Sequence, residues 1–361
     1  MENKMIVPFG SQHITLPEPV RFIFETENEK IINVDVDVGY AHRGIEKACQ
    51  TKLNYKQVAY IIPRICGLCA MSHALAYIIA VEKLLEFDPP KKAKYLRILV
   101  HELDRIHSHL FAMAHVAEAA GYENLVMHLF RDRELAMECL EVLTGNRVQY
   151  DYGCIGGVNR DLTSETEKIL REKLKKLEKQ IYWFRDLYVN DYTLSLRWKG
   201  VGVISKEMAE KYNTTGPVAR ASGIKTDARA EFDALPYRDL GFEMIVYKDG
   251  DIFSRNLVRI DEILISLRII WNILDGLPEG KYKEDVKGVP KGEAVCRLEA
   301  PRGELFVHVR GDGKQILTRV RIKTPTFSNI PVLKELFLGA NFADVPAIIT
   351  SFDPCMSCTA R

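Results

Sequence analysis

Apolar residues recur at spacings of three and four along much of this chain. Within 91–120, Leu96, Leu99, Leu103, Ile106, Leu110 and Met113 form one continuous stripe that Gly121 ends, the period of a helix burying one face. Residues 165–189 repeat the pattern with Leu170, Leu174, Leu177, Ile181 and Phe184, behind a capping box read at Ser164 and Glu167. A third such helix carries Leu257, Ile260, Leu264, Leu267, Trp271 and Leu274. Together with 123–143 and with 71–87, which stops at Asp88-Pro89-Pro90, these predict a helical bundle. Residues 31–40 (IINVDVDVGY) read as a strand. After 290, AVCRLEAPRGELFVHVRG, the turn signal Asp312-Gly313 and ILTRVRIKTP read as a hairpin. The expected fold is α+β, mainly α: a central bundle of long helices with small peripheral β-sheets or hairpins in the N-terminal and 290–325 regions.

Length and composition narrow this little. With 361 residues and 47% apolar content the chain can bury a large core. No Gly/Ser or Pro-rich linker, repeat or low-complexity run divides it, so residues 1–361 are expected to form a single domain. A net charge of +1 gives no sign of nucleic-acid binding. The most apolar stretches, 76–85 and 262–274, contain charges and fall short of the ~18 residues of a membrane span. A soluble, cytoplasmic chain is expected, with any membrane connection made through partner subunits.

Cysteine placement changes the picture. Cys66 and Cys69 in RICGLC and Cys355 and Cys358 in DPCMSC form two CxxC pairs with residues 70–354 between them. Four thiolates from opposite ends of a chain meet only if the fold closes one end onto the other. Soft sulfur ligands suit zinc, copper(I), iron, iron–sulfur clusters and nickel. Zinc sites usually draw their ligand pairs from within about 12–20 residues, and the absence of a signal peptide points to a compartment where thiols stay reduced. Cys66 and Cys69 lie just before the 71–87 helix, whose N-terminal N–H groups favour a deprotonated sulfur. Cys49, Cys139, Cys154 and Cys296 are scattered singly and read as small buried apolar residues, leaving no set for an iron–sulfur cluster in this chain. His101, His107, His109 and His115 do not share one helix face, and such histidines are ordinarily solvated or hydrogen-bonded. The run REKLKKLEKQ (171–180) reads as a solvated helix face.

RICGLC followed by His73, together with SFDPCMSCTAR, resembles the paired cysteine signatures of nickel–iron hydrogenase large subunits. HRGIEK (42–47), GGVNRDL (156–162), TGPVARASG (215–223), DAR (227–229) and EAPRGE (299–304) resemble the branch of that family related to the 49-kDa subunit of respiratory complex I. The compact length and the four retained cysteines resemble the energy-converting, membrane-associated (Ech-type, group 4) enzymes. A CO-linked hydrogenase of the same group, a quinone-site scaffold of the complex I kind, and a zinc-stabilised binding protein are the alternatives.

The resemblance implies a NiFe(CN)2CO centre, with Cys66 and Cys355 as terminal nickel ligands and Cys69 and Cys358 bridging nickel and iron. Arg302 and Thr326 match positions that recognise the diatomic ligands. Arg302 is also placed to polarise bound hydrogen, held by Asp353 in a bidentate pair. A structural pairing of Arg302 with Glu299 or Glu304 is the plainer reading. His73 matches a residue hydrogen-bonded to a bridging cysteine, and Glu18, 28 residues before Glu46, matches the proton-gate glutamate. Glu46 matches a position that in longer relatives binds a divalent ion together with a C-terminal histidine. Here Arg361 stands at that place, so a Glu46–Arg361 pair replaces the ion and magnesium is doubtful. The implied partners are a small subunit with a proximal 4Fe-4S cluster, a ferredoxin-like iron–sulfur subunit, antiporter-like membrane subunits, ferredoxin as electron carrier, and maturation proteins that remove a C-terminal extension after Arg361.

Overall fold

The computed structural model describes residues 4–13 and 16–361. Helix accounts for 53% of it and strand for 15%, so helices set the framework and the strands attach to it. The long helices Ala70–Leu84, Lys91–Ala119, Glu123–Thr144, Ser164–Asn190 and Ile252–Asp275 form the bundle.

Its axis is the helix Lys91–Ala119, which buries 22 of its 29 residues against the 123–144, 252–275 and 345–352 helices. The leucine stripe is inside, as its spacing predicts. The polar faces are inside as well, because each buried charge has a partner. Glu102 accepts from Tyr237, Ser266 and Arg105, and His109 faces Glu262 at 2.9 Å. His101 lies between Ser72 and Tyr237.

The 164–190 helix is capped one residue earlier than expected, at Thr163. Thr163 Oγ1 accepts the N–H of Thr166 at 3.2 Å, while Glu167 turns to Arg171. Its five predicted apolar positions are buried, and Glu172, Lys175, Lys176 and Lys179 face solvent.

Two small sheets flank the bundle. Strands Lys4–Phe9, Arg21–Glu27 and Lys30–Asp37 form an antiparallel meander. Phe22 and Phe24 point inward and meet Phe337 edge-on. The second sheet contains two hairpins where the sequence pattern suggested one: Lys291–Ala300 pairs with Gly303–Asp312, which pairs with Arg319–Lys323. The alternation runs on across the first turn because Pro301-Arg302 is only two residues long. Arg302 therefore sits at a hairpin tip instead of inside a strand.

A buried ion cluster pins that tip to the bundle. Arg220 reaches Glu262 and Glu299 at 2.7 Å each and Asp227 at 3.2 Å, and Arg229 pairs with Asp227 at 2.7 Å. All of these but Glu262 belong to the motifs TGPVARASG, DAR and EAPRGE. Gly216 explains why the first motif needs a glycine. At φ 72° its α-carbon lies so close to Arg302 that a β-carbon would come within 2.3 Å of the Arg302 carbonyl oxygen. Any side chain there would push the hairpin tip outward.

Candidate metal centre

Each cysteine pair occupies a turn leading into a helix. Ile62–Ile65 forms a 3-10 turn, Cys66 is extended, and Cys69 precedes the helix Ala70–Leu84. At the other end the helix Val345–Phe352 stops at Asp353, whose φ of 54° reverses the chain before Pro354, and Cys355 precedes the short helix Met356–Ala360. A left-handed aspartate ahead of a proline costs about 1–3 kcal/mol and persists only where other contacts hold it.

The turns bring the sulfurs together. Cys66 Sγ lies 3.3 Å from Cys355 Sγ, and Cys69 Sγ lies 3.6 Å from Cys358 Sγ. Cys66, Cys69 and Cys358 place their sulfurs within 4.8 Å of one another, and all four residues are buried. Sulfurs sharing a tetrahedral metal at ~2.3 Å stand about 3.8 Å apart, and the two facing pairs lie within about half an ångström of that spacing. The donor set fits a thiolate-bound metal.

As bare thiols they share hydrogen bonds that set them apart. The Cys66 thiol is held well below its usual range by hydrogen bonds from Cys355, Cys358 and Cys69, while Cys358 is pushed up by its bonds to Cys355, Cys66 and Cys69 and by burial. A metal would replace these shared protons, since thiolates are the ligating form.

Remote side chains hold the second pair in place. Arg302 donates from Nε to the Asp353 carbonyl at 2.8 Å, from Nη2 to Asp353 Oδ1 at 2.6 Å and from Nη1 to Ser108 Oγ at 3.1 Å. This differs from the expected carboxylate fork: Asp353 gives one carboxylate oxygen and its backbone carbonyl, because its left-handed conformation turns both toward the guanidinium. Neither alternative partner touches Arg302, since Glu299 is taken by Arg220 and Glu304 by Arg297. Burial opposes the Arg302 charge, but Asp353 and then the thiols Cys355, Cys66 and Cys69 outweigh it and raise its pKa further. Two of its five N–H groups remain uncommitted in these contacts.

Thr326 Oγ1 accepts the Cys355 N–H at 3.1 Å, leaving its own hydrogen free to donate. Arg302 and Thr326 line a narrow cavity with Ile330, Leu333, Phe352 and Pro354. His73 Nε2 is 3.4 Å from Cys358 Sγ, and burial holds the imidazole down at about 4, hence neutral. Half-buried Glu18 accepts the Ser357 N–H at 3.0 Å, between the two C-terminal cysteines. Residues Ile14 and Thr15 of the segment leading to it lie outside the described residues.

At the chain's end, Glu46 Oε1 takes Arg361 Nε and the Ile322 N–H at 3.0 Å each, and Oε2 takes Arg321 at 3.0 Å. Burial tends to raise the Glu46 pKa, but Arg361, Ile322 and Arg321 together lower it. Both oxygens are occupied by cationic or N–H donors, so a guanidinium sits where a divalent ion would need them.

Sequence reasoning assigned no role to Arg43, Ser108 or Thr324. Arg43 ties the two cysteine turns together, donating to the carbonyls of Arg64 and Ile65 at 2.8 Å each and of Ser357 at 3.2 Å. Its signal was available, since HRGIEK contains it. Thr324 donates to the Cys358 carbonyl at 3.1 Å. Ser108 had no local signal, being one polar residue on a helix buried all round.

This mainly helical chain closes both ends over four buried thiols, a donor set that could hold a metal ion. The chain matches the family described as "Respiratory-chain NADH dehydrogenase, 49 Kd subunit" over residues 120–289 and 282–361, and "Nickel-dependent hydrogenase" over 43–195. It is 37% identical to the membrane-bound hydrogenase subunit alpha of Pyrococcus furiosus, over 98% of this chain and 87% of that protein. It is also 37% identical to the carbon monoxide-induced hydrogenase of Rhodospirillum rubrum, over 98% and 99%. A chain of the membrane-bound sulfane sulfur reductase, an archaeal respiratory membrane complex, superposes with a TM-score of 0.94 at 31% identity, over 99% of this chain and 98% of that one. The protein therefore belongs to the family of membrane-bound hydrogenase large subunits and the related 49-kDa subunits of respiratory complex I. Among the described residues no helix is long and apolar enough to cross a membrane.

Proposed function

We propose that residues 1–361 act as one unit, the catalytic subunit of an energy-converting, Ech-type nickel–iron hydrogenase. The observation that carries this reading is the meeting of four buried thiols from two CxxC pairs. A NiFe(CN)2CO centre held there would supply the Lewis acid that polarises dihydrogen and the site that takes up its electrons.

The chain's residues divide the remaining work. The thiolates of Cys66, Cys69, Cys355 and Cys358 would hold that centre. Arg302 and Thr326 would offer hydrogen-bond donors to the centre's cyanide and carbon monoxide ligands, and the fixed guanidinium would add positive potential beside it. Asp353 orients Arg302, and His73 donates to Cys358, lowering the basicity of that sulfur. Glu18, half-exposed and bonded between the C-terminal cysteines, carries protons outward. With no suitable cysteines left over, electrons leave through a small subunit bearing a 4Fe-4S cluster and a ferredoxin-like subunit toward ferredoxin. Antiporter-like membrane subunits hold the chain peripherally on the cytoplasmic face.

A second reading, a non-hydrogenase role in a respiratory complex, is favoured by the match to the 49-kDa subunit and the fold shared with a sulfane sulfur reductase. Metal analysis of the complex from its native host separates the two. About one nickel and one iron per chain, lost with hydrogen turnover when any of the four cysteines becomes Ser, is expected. Zinc in place of nickel, or no hydrogen turnover with the cysteines intact, would overturn the proposal.

A further inference from the structure

Behind the first cysteine turn lies a polar cluster with no part in the scheme above. Asp104 is fully buried. Its Oδ1 accepts from the Tyr150 hydroxyl at 2.7 Å and faces His107 Nε2 at 3.1 Å, while Oδ2 has no partner. Arg133 Nη2 lies 3.3 Å from His107 Nδ1. A guanidinium only donates, so Nδ1 is the bare nitrogen and Nε2 carries the hydrogen. The Tyr150 hydroxyl donates to Asp104, while the Nε2 hydrogen is shared between Asp104 Oδ1 and the Tyr150 oxygen at 2.9 Å; among the described residues no Arg or Lys forms an ion pair with Asp104.

The cluster lies against the metal centre. A β-carbon on Gly67, between Cys66 and Cys69, would stand 3.1 Å from Val148 Cγ1 and 3.8 Å from Gln149 Nε2, in the segment that ends at Tyr150. The Asp104 charge is felt at His73, that of Cys66 at His107 and that of Cys69 at Tyr150. The groups bonded to Asp104 are His107 on its own helix and Tyr150 in the following loop, with Arg133 of the 123–144 helix beyond His107; the His73 and His101 imidazoles feel its charge. Burial holds His73 and His101 neutral, at about 4 each, and burial with the Asp104 charge keeps Tyr150 protonated. Asp104 is the carboxylate in this group.

We propose that Asp104 is a proton store for the metal centre, its bare Oδ2 taking up the proton released at the thiolates when dihydrogen is split. The inference rests on the hydrogenase reading. In the step one S–H bond breaks and one O–H bond forms, and no electron moves with the proton. The store is a dead end. Arg133 closes the far side of His107, and Asp104 has no exposed surface, so the proton returns to the centre and leaves through Glu18. Two carboxylates thus take two roles, set by burial and by hydrogen bonding.

Infrared difference spectra of the whole complex, oxidised against hydrogen-reduced, in H2O and D2O, test this. A carboxylic-acid C=O band that shifts in D2O is expected in the wild type and in Glu18→Gln, and is expected to vanish in Asp104→Asn with nickel content unchanged. Tyr150→Phe removes a donor to the carboxylate, favours its protonated form and should move the band to higher frequency. A band that survives Asp104→Asn, ignores Tyr150→Phe or is absent from nickel-loaded wild type overturns the store. Absence of nickel from the wild type overturns the parent reading instead.

Discussion

Replacing Arg302 with Lys should open the C-terminal cysteine turn. The guanidinium makes three buried hydrogen bonds: to the Asp353 carbonyl, to its carboxylate and to Ser108. A lysine ammonium keeps the charge and can reach the carboxylate, but it has no planar fork and cannot serve all three. Hydrogen bonds from charged donors contribute about 1.5–3 kcal/mol each. Losing two, with part recovered by the remaining ammonium, gives a cost of about 2–4 kcal/mol. The loss falls on the segment that carries its own penalty, the left-handed Asp353. If local opening exposes the thiols, alkylation of Cys355 and Cys358 in metal-free protein should accelerate roughly 30- to 700-fold, since each 1.4 kcal/mol is tenfold. Peptide-level mass spectrometry of timed alkylation reads this, with Cys49 and Cys139, buried elsewhere, as internal controls. Acceleration of less than about threefold, or equal acceleration at the controls, would show that Arg302 does not hold the turn.

Glu18→Gln should keep nickel bound but slow hydrogen–deuterium exchange by at least about tenfold, the low side of what one positioned acid–base group contributes; a rate near that of the wild type would move the proton exit elsewhere. Acid should destabilise the fold before most carboxylates titrate. Burial depresses His73, His101 and His109 from 6.5 to about 4, so between these values the unfolded chain binds protons that the folded chain refuses, and stability falls as pH falls through this window. The slope approaches about 1.4 kcal/mol per pH unit for each histidine. Denaturant midpoints between pH 7 and pH 5 measure it, and a flat profile would mean the imidazoles are charged or exposed.

The bundle was legible because its helices bury apolar stripes of a single period, as at Leu96 to Met113. What that period hides is the other faces of the same helix. Asp104 and Ser108 look like solvent-facing residues until Tyr150 and Arg302 arrive from distant segments. Capping at Thr163 instead of Ser164, and the hairpin turn at Pro301-Arg302, escaped because a one-residue shift or a two-residue turn scarcely disturbs the local pattern. The cysteines were readable in their motifs. Their spacing in three dimensions depends on Asp353 turning left-handed and on Gly216 letting the 301–302 tip approach, which no local periodicity encodes.

The 289-residue offset between the paired sulfurs Cys66 and Cys355 also has a meaning in time. At ~5–20 residues per second of synthesis, the second member of each pair leaves the ribosome about 14–58 s after the first. Throughout that interval RICGLC is half of a site, with two thiols and nothing opposite them. The four-sulfur chamber cannot form until Cys358 has emerged, so any metal held by all four sulfurs is seated after that point, with the first cysteines kept reduced in the meantime.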